Sequence, residues 1–218
     1  MEAYAISPLN KVRRSDRALY DRAAIHGVLD EGMIAHVGFT ADERPVVVPM
    51  AYGRIGDRLY IHGAKAARFA KTMGAGVPVC ITVTLLDALI VGRSAFHNSM
   101  NYRSVMIHGM AVRVEDRGEA EEALAAVTDH LLPGRWAESR PVTEKEMRST
   151  SVLRVEIEAA SMKARAAPPV DEEEDYALPF WAGVIPLRVS PKPPQDDGLL
   201  LPGVEVPASV EAFMRRRG

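Results

Sequence analysis

The spacing of apolar positions changes several times along the chain, and each change marks a different element. The first spacing is helical: Tyr20, Ala24, Ile25, Val28 and Leu29 share one face of residues 16–30. Ser15 is placed to cap the start of that helix, and Gly32 follows its end. Extended runs come next. Met33–Thr40 is apolar, Ala41-Asp42-Glu43-Arg44 reads as a turn, and Pro45–Tyr52 is rich in β-branched residues. Gly53-Arg54-Ile55-Gly56-Asp57 reads as a second turn before the alternating run Arg58–His62. Runs joined by four or five residues pair as antiparallel hairpins. Pro49, inside an otherwise strand-like run, suits an edge, a bulge, or a place where a ligand stands in for a neighbouring strand.

Lys65–Met73 has helix-forming composition and is closed by Gly74. Val77–Leu86, Ala88–Val91 and Ser104–Val114 read as strands, and Ala120, Ala123, Leu124, Val127 and Leu131 set a helix over 118–131. Thr143-Glu144-Lys145-Glu146 is a capping box that opens a short helix. In Ser151–Ala159, Val152, Arg154, Glu156 and Glu158 alternate with Leu153, Val155 and Ile157, as in a half-exposed strand. Six or seven antiparallel strands with few helices predict a mainly β protein, a small barrel that closes on itself with helices at its flank. Nine of the fifteen prolines follow position 167, around the acidic run 171–175. The predicted division is therefore a barrel domain over 1–167 and a proline-rich, mostly irregular extension over 168–218, packed on the barrel or on a dimer partner.

Composition narrows the function classes. The chain has 218 residues, a formal net charge of −2 and one cysteine. Near-neutrality predicts neither nucleic acid nor an anionic membrane as a partner. No run of about 18 apolar residues spans a bilayer. The N-terminus lacks the apolar core of a secretory signal, so a cytoplasmic location is expected. Cys80 alone excludes an internal disulfide framework and lies mid-strand, where a buried, inert thiol is expected.

Catalytic motifs are scarce. His26, His36, His62, His97, His108 and His130 show no i, i+4 pair, so no metal site is expected. There is no G-x-S-x-G elbow, no GxGxxG and no P-loop, which counts against hydrolase and NTPase chemistry. Two polar segments carry more. After Leu59-Tyr60-Ile61-His62-Gly63-Ala64, the cations Lys65, Arg68 and Lys71 recur every three residues at the start of a predicted helix, an arrangement suited to a phosphate monoester. The second, Arg93–Ser104, joins two strands with two arginines, three serines, two asparagines and a histidine, but no glycine or proline. A connection of that composition suits a loop organised around a ligand.

Taken with Pro45–Tyr52 and Trp181–Leu187, these segments resemble the FMN-binding split-barrel proteins of the pyridoxamine 5′-phosphate oxidase-like family, in the branch that includes nitroimidazole-resistance-type flavoproteins. The resemblance spans about residues 13–190. It implies a six-stranded antiparallel split barrel and a homodimer with one FMN in each of two interface clefts. By position in the family pattern, the flavin ring would lie along Val47, Val48, Pro49 and Met50. Ile61, His62, Gly63 and Ala64 would meet the ribityl or phosphate portion, and Lys65 and Arg68 would neutralise the phosphate. Ser99, Arg103, Ser104 and Trp181 would complete the cleft. The segment at 67–69 departs from the family, which often places glycine and lysine where this chain has Ala67, Arg68 and Phe69. The pyridoxal-phosphate substrate residues of the true oxidases have no match here. The implied activity is an FMN-dependent oxidoreductase of unassigned small-molecule substrate, with His62 and His97 as candidates for proton transfer. The alternative on the same fold is a sensor or carrier that binds flavin, haem or deazaflavin without turnover.

Overall fold

The protein is described here over residues 2–217 by a computed structural model. In chain order its elements are β1 (Ala18–Leu19), α1 (Arg22–Glu31), β2 (Ala35–Ala41), β3 (Arg44–Met50), β4 (Tyr52–Ile55), β5 (Arg58–Ala64), α2 (Arg68–Met73) and β6 (Ala75–Val91). These are followed by β7 (Ser99–Arg113), α3 (Arg117–Leu131), α4 (Glu144–Ser149), β8 (Thr150–Glu156), β9 (Ala159–Arg165), β10 (Gly183–Pro186) and α5 (Ala208–Arg217). The hydrogen-bonded order β3-β2-β6-β7-β8-β5-β4 does not return on itself. The closed barrel expected from strand count is thus a split barrel, mainly β and antiparallel, with flanking helices. The chain forms two compact units.

The first unit takes the chain up to Met50 with Pro78–Gly109 and Ile157–Arg188. Its strands run β3-β2-β6-β7, with β10 on β6, β9 on β7 and β1 on β9. Asp42 and Glu43 adopt φ of 50° and 60° in the β2–β3 turn, the left-handed pair that matches the twist of a tight hairpin. β3 ends the hydrogen-bonded order, so Pro45 and Pro49 lie on an edge strand, where a missing donor is tolerated. The first helix starts later than its apolar spacing predicts. Asp21 is the cap, its Oδ1 accepting from the Ala24 N–H at 2.9 Å. Ser15–Arg17 is a 3₁₀ turn instead, and Ala18–Leu19 pairs with β9. The two predicted strands over 77–91 are one, because Asp87 stays in the ladder region and meets Arg103 at 2.8 Å. β9 and β10 went unpredicted.

The second unit comprises Ala51–Val77, Met110–Glu156 and the chain from Val189. β4 occupies most of the turn predicted over 53–57, leaving Gly56-Asp57 at the bend. Gly53 sits where a Cβ would come within 2.6 Å of the α3 backbone at Ala126 and Val127, so only glycine lets the helix lie this close. The apolar face of α3, with Ala120, Ala123, Leu124 and Val127, packs with Tyr60, Val114 and Val152. Burial of each larger side chain contributes about 1.5–3 kcal/mol. Asp116 caps α3 through the Glu119 N–H, and the capping box at Thr143 and Glu146 is present on α4. β8 departs from simple alternation: Ser151, Val152 and Leu153 are all buried. In the extension, α5 is held by Ser209, whose N–H and hydroxyl both donate to Glu138. Among the described residues no helix is long and apolar enough to cross a membrane.

Candidate functional site

The two polar segments reach opposite outcomes. In the second unit, β5 buries Leu59, Tyr60 and Ile61 and then emerges, leaving His62 and Gly63 half-buried and Ala64 exposed. The β5–β8 pairing continues past the strand, because the Lys65 N–H donates to the Ser149 carbonyl at 2.8 Å. A turn closed by the Ala67 N–H on the Ala64 carbonyl follows. α2 therefore begins at Arg68, and Lys65 lies ahead of it rather than on a shared helix face with Arg68 and Lys71.

The Phe69 ring lies against Gly63, where a Cβ would stand 2.3 Å from its Cζ. His62 Nδ1 is buried with no hydrogen-bond partner. Burial pushes the His62 pKa below its ordinary value, so the ring is neutral at neutral pH and can take part in a hydrogen bond as an uncharged imidazole. A buried polar atom left unpaired costs about 1–3 kcal/mol, which a ligand group bonding to it would offset.

The Arg93–Ser104 segment, in the first unit, is organised by the protein itself. Asp171, from the acidic run of the extension predicted to be mostly irregular, is buried against it. Its Oδ1 accepts from the Arg93 N–H at 2.7 Å and its Oδ2 from the Arg93 guanidinium at 3.1 Å. Burial pushes the Asp171 carboxyl up, but hydrogen bonds from the Arg93 and Ser94 N–H groups and the guanidinium outweigh it and hold the pKa low. Asn98 Oδ1 accepts from the Gly92 N–H, and Ser94 Oγ meets His97 Nδ1 at 2.8 Å. His97 is thus a loop-holding residue.

The remainder of the segment is strand, not loop, because β7 begins at Ser99. Arg103 is committed to Asp87 and Glu31, at 2.8 and 3.0 Å from Nη2, and Ser104 shares a hydrogen bond with Thr84. Ser99 is exposed. Ligand atoms of His97, Asp171 and Asp175 lie within 4.8 Å of one another. Sequence spacing could not show this, since both carboxylates come from more than seventy residues downstream. The Arg93 guanidinium already supplies a positive charge to Asp171 there.

The other predicted site residues lie as follows. No residue of β3 is fully buried, and Val47 is 63% exposed, with Val48, Pro49 and Met50 beside it on the same edge strand. Ile61 is a core residue, 0% exposed. Trp181 is 66% exposed. It does not anchor the tail through burial; the backbone of β10 does so, by pairing with β6 from Gly183↔Val91 to Pro186↔Ala88. Cys80 is half-buried rather than buried, and burial pushes its thiol pKa up.

Comparison with known proteins gives these positions a frame. A family model described as pyridoxamine 5′-phosphate oxidase matches residues 21–164. The flavocytochrome Anf3 from Azotobacter vinelandii is 41% identical, with a TM-score of 0.89 over 95% of this chain and 97% of its own. A FAD and heme binding protein from Mycobacterium smegmatis is 33% identical, with a TM-score of 0.86 over 90% of this chain and 97% of its own. A candidate 5-nitroimidazole antibiotic resistance protein from Bacteroides thetaiotaomicron is 25% identical, with a TM-score of 0.56 over 67% of this chain and 85% of its own. No curated protein matches the chain. With two thirds of its length under the family model and two near-full-length structural relatives above 30% identity, the chain belongs to the pyridoxamine 5′-phosphate oxidase family.

Proposed function

We propose that the protein is a flavin-dependent redox protein whose β5–α2 connection holds the phosphate-bearing side of the cofactor. The observation that carries this reading is the buried, unpaired Nδ1 of His62 beside the ring-covered Gly63. Family membership supports it, as do the printed names of the two relatives that match over nearly their whole length. We assign FAD in place of the FMN implied by the sequence resemblance, because the relative whose name specifies the flavin names FAD.

When bound, the flavin supplies the hydride- or electron-transfer chemistry. The chain's own residues bind and orient. His62 offers a neutral imidazole for a hydrogen bond or proton transfer, Gly63 and Ala64 present backbone without bulk, and Arg68 brings a cation to the phosphates. The free edge of β3, Val47–Met50, is the candidate for hydrogen bonds to the polar edge of the ring. Ile61 contributes only through its backbone. Arg103 already serves two carboxylates. Exposed Val47 and Trp181 fit the homodimer implied by the family resemblance, and light scattering that finds only monomer in the flavin-bound protein would remove that part of the reading.

A second reading adds haem to the flavin, since both of those relatives carry haem or cytochrome in their names. Histidine is a common axial ligand of haem iron. Besides His62, His108 has a buried unpaired nitrogen, Nε2. The absorbance spectrum of the purified protein and the mass of the flavin released on denaturation test both readings. A yellow protein releasing FAD is expected, with an added Soret band if haem is held. A colourless protein whose Tm is unmoved by FAD or FMN would end the flavin assignment. Bleaching of the flavin absorbance by NADH or NADPH would establish turnover competence, and its absence with both donors favours the carrier alternative.

A further inference from the structure

Residues 187–207 run from the end of β10 to α5 without strand or helix. Short local turns shape this strap. The Gly198 and Leu199 N–H groups donate to the Asp196 and Asp197 carboxylates at 2.8 and 2.9 Å, and the Val204 N–H donates to the Leu201 carbonyl at 3.2 Å. Along it, Leu199, Leu200 and Leu201 are 83%, 52% and 76% exposed, and Val204 and Val206 are exposed as well. Three consecutive leucines in water form a costly surface that calls for a cover.

The first unit has an apolar surface in the same condition. A Cβ on Gly183 would stand 2.7 Å from the Trp181 ring, so that ring lies over Gly183. Gly183 and Ile185 are two residues apart on β10 and share a face, and Ile185 stands opposite Leu89. The Leu187 N–H donates to the Asp87 carbonyl at 2.9 Å, which extends the pairing and keeps Leu187 on that face. Trp181, Ile185, Leu187 and Leu89 thus form one row, and all four are exposed. The other face of the pair turns to the core, where Ala88 and Ile90 are buried.

Both surfaces stay exposed in the single chain, and their chemistry matches. We propose that residues 199–206 of one copy lie on the Trp181–Ile185–Leu187–Leu89 row of a second copy, and the reverse, in a two-fold homodimer. Resting on the homodimer reading, this pairing assigns the surfaces that hold the copies together. Each strap-on-row contact removes on the order of 800 Å² of accessible surface, so the reciprocal pair reaches the roughly 1,600 Å² of a stable interface.

The test is crosslinking of the flavin-loaded full chain. Leu200→Cys and Ile185→Cys are made separately in a Cys80→Ala background, given different affinity tags, and mixed under dilution so that copies exchange. A short bismaleimide should then join the two variants into a heterodimer, at higher yield than either variant gives alone. Light scattering across a dilution series supplies the second readout. Leu199→Ser combined with Leu201→Ser should raise the dimer dissociation constant at least tenfold and leave Tm unchanged in the dissociated protein, since both side chains are exposed in one copy. A wild-type dimer that neither crosslinks nor responds to the serine variant overturns the strap contact and leaves the homodimer standing. A Leu200→Cys, Ile185→Cys double variant that crosslinks only within one chain also overturns it, because the strap then covers its own row. Flavin-loaded wild type that is monomeric at every concentration ends this proposal and the homodimer reading together.

Discussion

The β5–α2 connection and the Arg93–Ser104 segment read alike in sequence, as polar, cation-bearing stretches next to strands, yet they differ in how their polar atoms are satisfied. In the second, Asp171, Asp87 and Glu31 answer the arginines, and side-chain amides and hydroxyls bond within the unit; Arg93 Nε is buried without a partner, but its guanidinium is held by Asp171. In the first, His62 Nδ1 is buried without a partner. Polarity alone therefore does not mark a ligand site. A buried, unpaired atom on a side chain with no anchoring partner does, because it leaves a desolvation cost that an incoming group can offset.

On that contrast, changes in the segment anchored by Asp171 cost stability, and changes at His62 and its neighbours cost binding. The largest effect is expected for Asp171→Ala, which strands the Arg93 guanidinium and two backbone N–H groups. Tm should fall by on the order of ten degrees, with flavin affinity per folded molecule unchanged. A variant that melts normally but loses flavin would make the loop a cofactor element after all.

Gly63→Ala comes next, since its methyl would collide with the Phe69 ring. A cost of about 1–3 kcal/mol is expected, with weaker flavin binding, and Phe69→Leu in the same chain should recover stability. Failure of that rescue would mean the Gly63–Phe69 contact is not the cause.

His62→Leu reverses the usual sign. It removes an unpaired buried nitrogen, so the flavin-free protein should be as stable or more so, while flavin affinity falls by about tenfold. A clear loss of flavin-free stability would show that the imidazole has a structural role. Arg68→Ala is selective: FAD should weaken by about tenfold and riboflavin should not, because only the phosphates lose a charge-assisted contact.

The smallest effect is a pH slope. Burial lowers the folded-state pKa of His62, so its contribution is complete above the unfolded value of about 6.5 and is lost as pH falls from there toward the folded value. Chemical denaturation of the flavin-free protein across that window should show the slope, and His62→Leu should flatten it.

Much of this was legible in the sequence, but unevenly. Alternation and turn residues located β2, β3 and β5, and the Thr143 capping box marked α4 to the residue, because these are local patterns. Pro49 left an edge, a bulge or a ligand position open, and the hydrogen-bonded order puts β3 at an edge. β1, β9 and β10 went unread because each is held by a partner strand far away in sequence, and Ala18–Leu19 has too little pattern of its own against β9. For the same reason the Arg93–Ser104 segment seemed to await a ligand: its organiser, Asp171, lies 78 residues from Arg93. The β5–α2 segment was found from its sequence, but the separation of Lys65 from Arg68 was not, since it depends on a backbone hydrogen bond to Ser149.

Hydrogen–deuterium exchange with and without FAD puts the contrast between the two segments to its most direct test. The account predicts that FAD slows exchange at amides 62–68 and leaves 92–98 as they were. Protection at 92–98 with no change at 62–68 would contradict it.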